Sequence, residues 1–335
     1  MGMRTGGRTA ILPRLALCGL LLGLPGLQAA PAEGRWEAGL DPQAAPGDGA
    51  SRAAAYGFTQ EGARVTITLE YRGRVIAADF PDGGADFVLP LAGQVRLQDP
   101  WVTGERLEAR KALGNLGWNL WGSRPAAVHA AASGVVRSAG SDPAFGPTVE
   151  IDHGSGFRTR YFLSLHGAGS VAPGTRVAAG EVIGELGAGL PDDIPSVHFA
   201  LLLDTGQGDL LALDPAPFFL ASAAHRASPF AASLLNAAVR AQDPARVSRL
   251  IGLGVDPNLK AADCTRALEW AVMARDAGMA RLLVAAGADP AARTAEYPAY
   301  DLEEGGRSIA HDGPTILEYA GESGDPELLA AVGGN

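Results

Sequence analysis

Between about residue 94 and residue 213 the chain is written in short apolar runs broken by glycine turns, and no stretch there has the length or period of a long helix. Val135-Val136 follows Ser133-Gly134; Val149-Glu150-Ile151 leads into Asp152-His153-Gly154-Ser155-Gly156; Phe157 to Leu165 then alternates. Glycines at 174, 180, 184 and 187 bracket Val177, Val182-Ile183 and Leu186. Short strands at this spacing of turns predict a compact antiparallel sheet. Near its end comes Pro195-Ser196-Val197-His198-Phe199, continued by Ala200 to Leu203. Side chains alternate along a strand, so Ser196 and His198 share one face and Val197 and Phe199 the other. A histidine on the polar face of an apolar strand is a candidate site residue.

The flanks have other characters. Arg4, Arg8 and Arg14 precede an apolar run from Leu15 to Leu24, a Pro-Gly break and the small residues Ala29 and Ala30. That order of charge, apolar run and small residues predicts a secretory signal peptide over residues 1–30, hence a secreted, periplasmic or cell-envelope protein of a bacterium. Cys18 follows Leu17 inside the apolar run, where a lipid-anchor signal wants a small residue. Cys264 alone then remains, and one cysteine forms no internal disulfide. Residues 31–62, opening rich in Pro, Ala, Gly and Asp, are expected to be a linker or disordered lead-in. Val65, Ile67 and Leu69 alternate with Thr66, Thr68 and Glu70, and a turn follows at Tyr71-Arg72-Gly73-Arg74. This predicts a small β region over 63–92. A net charge of −10 and a pI near 5.1 offer no basic surface, so neither nucleic acid nor an anionic membrane is expected as partner. No later run has the apolar length of a membrane span.

From Ala231 the pattern turns helical, and an interval of 33 residues separates Ala238 from Ala271 and Asp256-Pro257 from Asp289-Pro290. The segments LLNAAVRAQDPARVSRLIGLGVDPN, RALEWAVMARDAGMARLLVAAGADP and TILEYAGESGDPELLAAV resemble ankyrin repeats. The resemblance implies about three repeats over 228–335, the last displaced by an insertion at 297–312, that bind a protein partner.

A second resemblance lies in the β-rich stretch. Gly146 to Tyr161 (GPTVEIDHGSGFRTRY), Val171 to Gly187 (VAPGTRVAAGEVIGELG) and Pro195 to Phe199 are similar to collinear segments of the lysostaphin-type (LytM-like) zinc metallopeptidases, metallopeptidase family 23 with the duplicated hybrid motif, which cut peptide bridges in bacterial cell walls. It runs from about Phe87 to Leu203 and implies a peptidase-like domain over 93–221. In that family zinc is held by the His and Asp of His-x-Gly-x-Asp and by the second His of His-x-His, with water in the fourth position. Here the first frame reads Asn115-Leu116-Gly117-Trp118-Asn119 and the second Ser196-Val197-His198, while the family's histidine two residues past Tyr161 is Leu163. The resemblance therefore implies one retained metal ligand, His198. Asn115 and Asn119 are degenerate ligand positions, since neutral amides lack the charge and basicity that favour zinc. Leu163 and Ser196 stand at catalytic positions that are not intact, and Tyr161 is expected to line the groove with these five. His129 is expected to be structural, His153 to lie in a turn, His166 on the opposite face unless a bulge intervenes, and Asp192 and Asp193 in a solvated loop.

The expected architecture is multidomain: a β-rich LytM-like antiparallel sheet domain followed by an all-α ankyrin-repeat module. The expected function is that of a catalytically inactive peptidoglycan metallopeptidase homologue, an envelope regulator or scaffold that takes no cofactor. Two alternatives stand beside it: an active zinc-dependent cell-wall endopeptidase using a non-standard ligand set such as His198, His166 and an acid, and a non-catalytic peptidoglycan-binding protein.

Overall fold

Alternation in the sequence becomes strand geometry in the computed structural model, which describes residues 34–41, 54–81, 87–93, 95–99, 116–122, 126–142, 146–163, 167–186, 196–295 and 312–333. The strands are β1 (Gly34–Leu40), β2 (Ala54–Glu61), β3 (Arg64–Tyr71), β4 (Arg74–Asp79), β5 (Arg96–Asp99), β6 (Trp118–Trp121), β7 (Ala126–His129), β8 (Gly134–Asp142) and β9 (Gly146–Gly154). Then follow β10 (Phe157–Leu163), β11 (Ala168–Gly169), β12 (Arg176–Val177), β13 (Val182–Leu186), β14 (Ser196–Asp204) and β15 (Leu210–Leu213). One sheet runs β12-β8-β9-β10-β14-β15-β1-β2-β3-β4, with β6 beside β14 and β5 beside β6. Strands β11, β13 and β7 form a second, smaller sheet.

The lead-in expected over 31–62 contains two strands. β1 pairs with β15 (Ala38↔Leu213) and β2 pairs with both β1 and β3, so the β region beyond residue 63 continues the same sheet. The physical reason is burial: Trp36, Ala38, Tyr56 and Phe58 are at most 1% exposed. Their alternation was hidden in the sequence by the small residues around them. The turn between β3 and β4 places Arg72 (φ 49°) and Gly73 (φ 74°) in the left-handed region, as a two-residue hairpin turn requires.

Phe80, just past β4, packs its ring against Phe87, Phe157, Phe218 and His153 at 5.0–6.0 Å between centroids. Trp118, Phe199, Phe219 and Phe230 continue this aromatic core. Each fully buried ring contributes about 1.5–3 kcal/mol of transfer free energy, so the core face of the sheet is its main source of stability.

Two short helices, α1 (Ala216–Phe219) and α2 (Ala223–Arg226), lead into three helix pairs: α3 (Pro229–Arg240) with α4 (Pro244–Gly252), α5 (Ala267–Met273) with α6 (Ala277–Ala285), and α7 (Ile316–Glu322) with α8 (Pro326–Ala331). An aspartate caps the second helix of each pair, Asp243, Asp276 and Asp325, its carboxylate accepting from backbone N–H groups of the first turn. This segment is not all helical, because β16 (Arg293–Ala295) and β17 (Asp312–Thr315) form a hairpin between α6 and α7. The expected insertion at 297–312 lies almost wholly outside the described residues. Residues 31–335 hold together as one compact unit. Part of the reason is Asp214, wholly buried after β15: its Oδ2 accepts from Arg246 of α4 at 2.5 Å, and its backbone carbonyl accepts from the Tyr56 hydroxyl at 2.8 Å. Among the described residues no helix is long and apolar enough to cross a membrane, which says nothing of a β-barrel that crosses with strands.

Candidate functional site

The alternation of β14 sorts its residues as its sequence demands. Val197, Phe199, Leu201 and Leu203 are completely buried in the core, while Ser196 and His198 are half-buried on the other face. On that face His198 stands opposite Asn119 of β6 on one side and Phe162 of β10 on the other. The two rings lie 5.6 Å apart, tilted by 41°. His198 Nδ1 lies 2.7 Å from Asn119 Oδ1. A carboxamide oxygen only accepts, so Nδ1–H donates. Trp121, opposite Ser196, completes a half-buried row on the same face.

Gly117 explains why the frame of the motif survives. A Cβ there would lie 2.2 Å from the Phe199 carbonyl oxygen and 3.1 Å from His198 Cε1. Only glycine lets this segment approach β14 closely enough for Asn119 to reach the imidazole. Leu116 then folds onto Ala200, Leu202 and Ala212, forming a small apolar cluster beside the site.

Further along this face the chain carries charge. Arg160, opposite Ala200, is bridged to Asp41 at 2.8 Å and Glu150 at 3.0 Å, and Arg158 reaches Asp204 at 2.6 Å. Asp41, Glu150 and Arg160 are all under 9% exposed. Removed from water, each charge depends on its partner to offset desolvation. The network ties the end of β1 to β9 and β10.

The described residues around His198 do not make up a zinc ligand set. A catalytic zinc site uses three protein ligands with an open position; among the described residues no three His, Cys, Asp or Glu side chains are grouped to hold a metal. An amide faces Nδ1 of His198 instead. Asn115, His166, Asp192 and Asp193 lie outside the described residues.

Two expected groove residues are elsewhere. Tyr161 and Leu163 are wholly buried on the core face, because β10 alternates regularly and Leu163 pairs with Val197 rather than His198. Phe162 occupies the place opposite His198. Sequence reasoning missed it by counting two residues from Tyr161, a step that stays on one face; the parity of the strand was the available signal. His153 is not in a turn: it is the last residue but one of β9, 7% exposed, with Nδ1 at 2.8 Å from the Ser133 carbonyl and Nε2 at 2.8 Å from Thr159 Oγ1. Burial pushes its imidazole below the ordinary range, against the pull of the Ser133 carbonyl and Asp152. Burial likewise pushes the Tyr161 phenol far up. His129 Nδ1 donates to the Gly180 carbonyl at 2.8 Å, linking β7 to the turn before β13.

Among solved structures, the chain is similar to one from the SpoIIIAH–SpoIIQ complex, at 27% identity over 39% of this chain and 98% of that one, with a TM-score of 0.32. Lysostaphin from Staphylococcus simulans matches at 20% identity over 39% of this chain and 53% of its own, TM-score 0.30. LytM from Ruminococcus gnavus matches at 18% over 41% and 61%, TM-score 0.33. The chain thus spans little more than half the length of the last two. No curated protein sequence matches it. The model of peptidase family M23 matches residues 114–209, the span from the Asn115 frame through β14 to the turn before β15. This chain therefore carries a peptidase family M23 domain at residues 114–209.

Proposed function

We propose that this domain binds cell-wall material or an envelope protein without cutting it, as a secreted regulator or scaffold. The observation that carries the reading is the hydrogen bond from His198 to Asn119, an amide where the resemblance puts a zinc ligand. Trp121, Ser196, Asn119, His198 and Phe162 leave a face of rings, an amide and a hydroxyl. Such a face suits neutral, amide-bearing ligands such as peptide stems or N-acetylated sugars, through stacking and hydrogen bonds. The helix pairs, with aspartate caps and a 33-residue interval, are read as ankyrin repeats that dock a protein partner. Residues 1–30 are read as the export signal.

Elemental analysis of the purified full chain tests the metal-free reading: about one zinc per chain would overturn it. Release of soluble fragments from purified cell wall, abolished by a chelator and by His198→Ala, would establish the peptidase alternative. Cosedimentation with peptidoglycan separates wall binding from a purely protein-directed role, and Trp121→Ala should weaken pelleting about tenfold, the loss of roughly one stacking contact.

A further inference from the structure

At the β12 end of the large sheet, Arg137, Asp152 and Arg176 line an open cavity of about 880 Å³ together with Gly134, His153 and Pro81. Neither His198 nor Asn119, Trp121 or Phe162 belongs to its wall. The register of the strands assembles it. Arg176 of β12 stands opposite Val135 of β8, and Val135 stands opposite Asp152 of β9, so the three side chains share one face. Two strand spacings, roughly 10 Å, separate the backbones of Arg176 and Asp152 across Val135.

Arg137 arrives by a different route. The ladder between β8 and β9 passes from Val136↔Ile151 to Ser138↔Glu150, which leaves Arg137 as the extra residue of a bulge. A bulge re-aims a side chain, here one that lines the cavity.

The three charges are not spent on one another. Among the described residues Arg176 makes no ion pair, and the Arg137 guanidinium has one long contact, Nε at 3.5 Å from Glu150 Oε1. That carboxylate is already bound by Arg160 at 3.0 Å. Asp152 Oδ1 accepts from the Gly154 N–H at 2.8 Å, and no donor among the described residues meets Oδ2. Arg158, opposite Asp152 on β10, is held by Asp204 at 2.6 Å. His153 offers the cavity no free nitrogen: its ring is held by the Ser133 carbonyl and Thr159 Oγ1, in a chain of contacts that continues through Tyr161 to the Ala131 N–H. Two guanidinium groups and one carboxylate are thus left to a ligand.

We propose that this cavity binds an amino acid end, an ammonium and a carboxylate carried on one carbon. The carboxylate lies between Arg137 and Arg176, whose planar guanidinium groups suit its two oxygens. The ammonium goes to Asp152 Oδ2. A bare oxyanion would meet Asp152 as well as the arginines, and a simple amine would meet the arginines as well as Asp152; only a group of both signs satisfies the whole wall. Free amino acids and the unlinked amino acid ends of wall peptides share this chemistry. The site is separate from the face of His198, and only the second source rests on the wall-binding reading.

Titration calorimetry on the full chain tests this with diaminopimelate, which carries an amino acid end at each terminus, its doubly N-acetylated form, and inorganic phosphate. Diaminopimelate should bind, and the acetylated form at least about tenfold more weakly, for the loss of one charge-assisted hydrogen bond. No binding of diaminopimelate, or equal binding of the acetylated form or of phosphate, would overturn the proposal. Arg137→Gln and Arg176→Gln should each weaken diaminopimelate about tenfold. Asp152→Asn, which keeps an oxygen for the Gly154 N–H, should weaken diaminopimelate and strengthen the acetylated form; an equal loss of both would reduce Asp152 to a structural role and refute the assignment. Trp121→Ala should leave the titration unchanged, and a weakened one would move the site to the face of His198. A soluble wall peptide with a free amino acid end that competes with diaminopimelate supports the wall as source; failure to compete assigns the cavity to free amino acids.

Discussion

His153 and His198 sit on opposite faces of one sheet, and their surroundings differ in kind. On the core face, His153 is held at both ring nitrogens, by the Ser133 carbonyl and by Thr159 Oγ1, which in turn donates to Tyr161 Oη. On the other face, the His198 Nδ1–H donates to the Asn119 amide oxygen, beside a phenyl ring and short of a network of buried charges. The first is held at both ring nitrogens and buried; the second sits on a half-buried face. The core face of β14 fixes the register of the strand, and the other face carries the residues at which the proposed function is aimed.

The largest effect is expected from Arg160→Met, on the face of His198. It leaves Asp41 and Glu150 buried without their shared cation and should cost about 3–5 kcal/mol in denaturant unfolding. A loss below about 1 kcal/mol would mean that the network is solvated and the contrast between the faces weaker than drawn. Next comes Gly117→Ala, whose methyl would meet the Phe199 carbonyl. It should cost about 1–3 kcal/mol and move the His198 ring resonances, because Asn119 must shift with the backbone. Tyr161→Phe removes the middle of the core-face chain and strands the Ala131 N–H, for about 1–2 kcal/mol. Asn119→Ala, at a half-exposed site where water replaces the amide, should cost less than about 1 kcal/mol. If Asn119→Ala proved the costlier of these last two, His198 would be the more tightly held ring and the comparison would invert.

Much of this was legible in the sequence, and the failures share a cause. The alternation at Ser196 to Phe199 assigned both faces of β14 correctly because large and polar residues take turns there. Gly117 marked a preserved frame, and its close approach to β14 explains why. Tyr161 and Leu163 were assigned to the groove from a motif position, although strand parity alone sends them to the core. The strands at Gly34–Leu40 and Ala54–Glu61 were missed because alanine and glycine dilute their alternation; Trp36, Tyr56 and Phe58 reveal their purpose only once a partner strand is present. The contacts that join Ala131, Tyr161, Thr159, His153 and Ser133 have no sequence signature, since they depend on residues brought together by the fold.

The pairing of β1 with β15 has a consequence for how the molecule is made. β1 is synthesised early, whereas its partner at Leu211–Leu213 follows only after the whole peptidase-type sheet. Until then Ala38, Gly39 and Leu40 have no strand partner on that side, and the strand waits as an open edge. Contacts so distant along the chain slow folding, because a long loop must close before they form. The strand that follows directly on the M23 region is thus the anchor for the first part of the described chain, and truncation just before residue 210 should release β1 through β4 together.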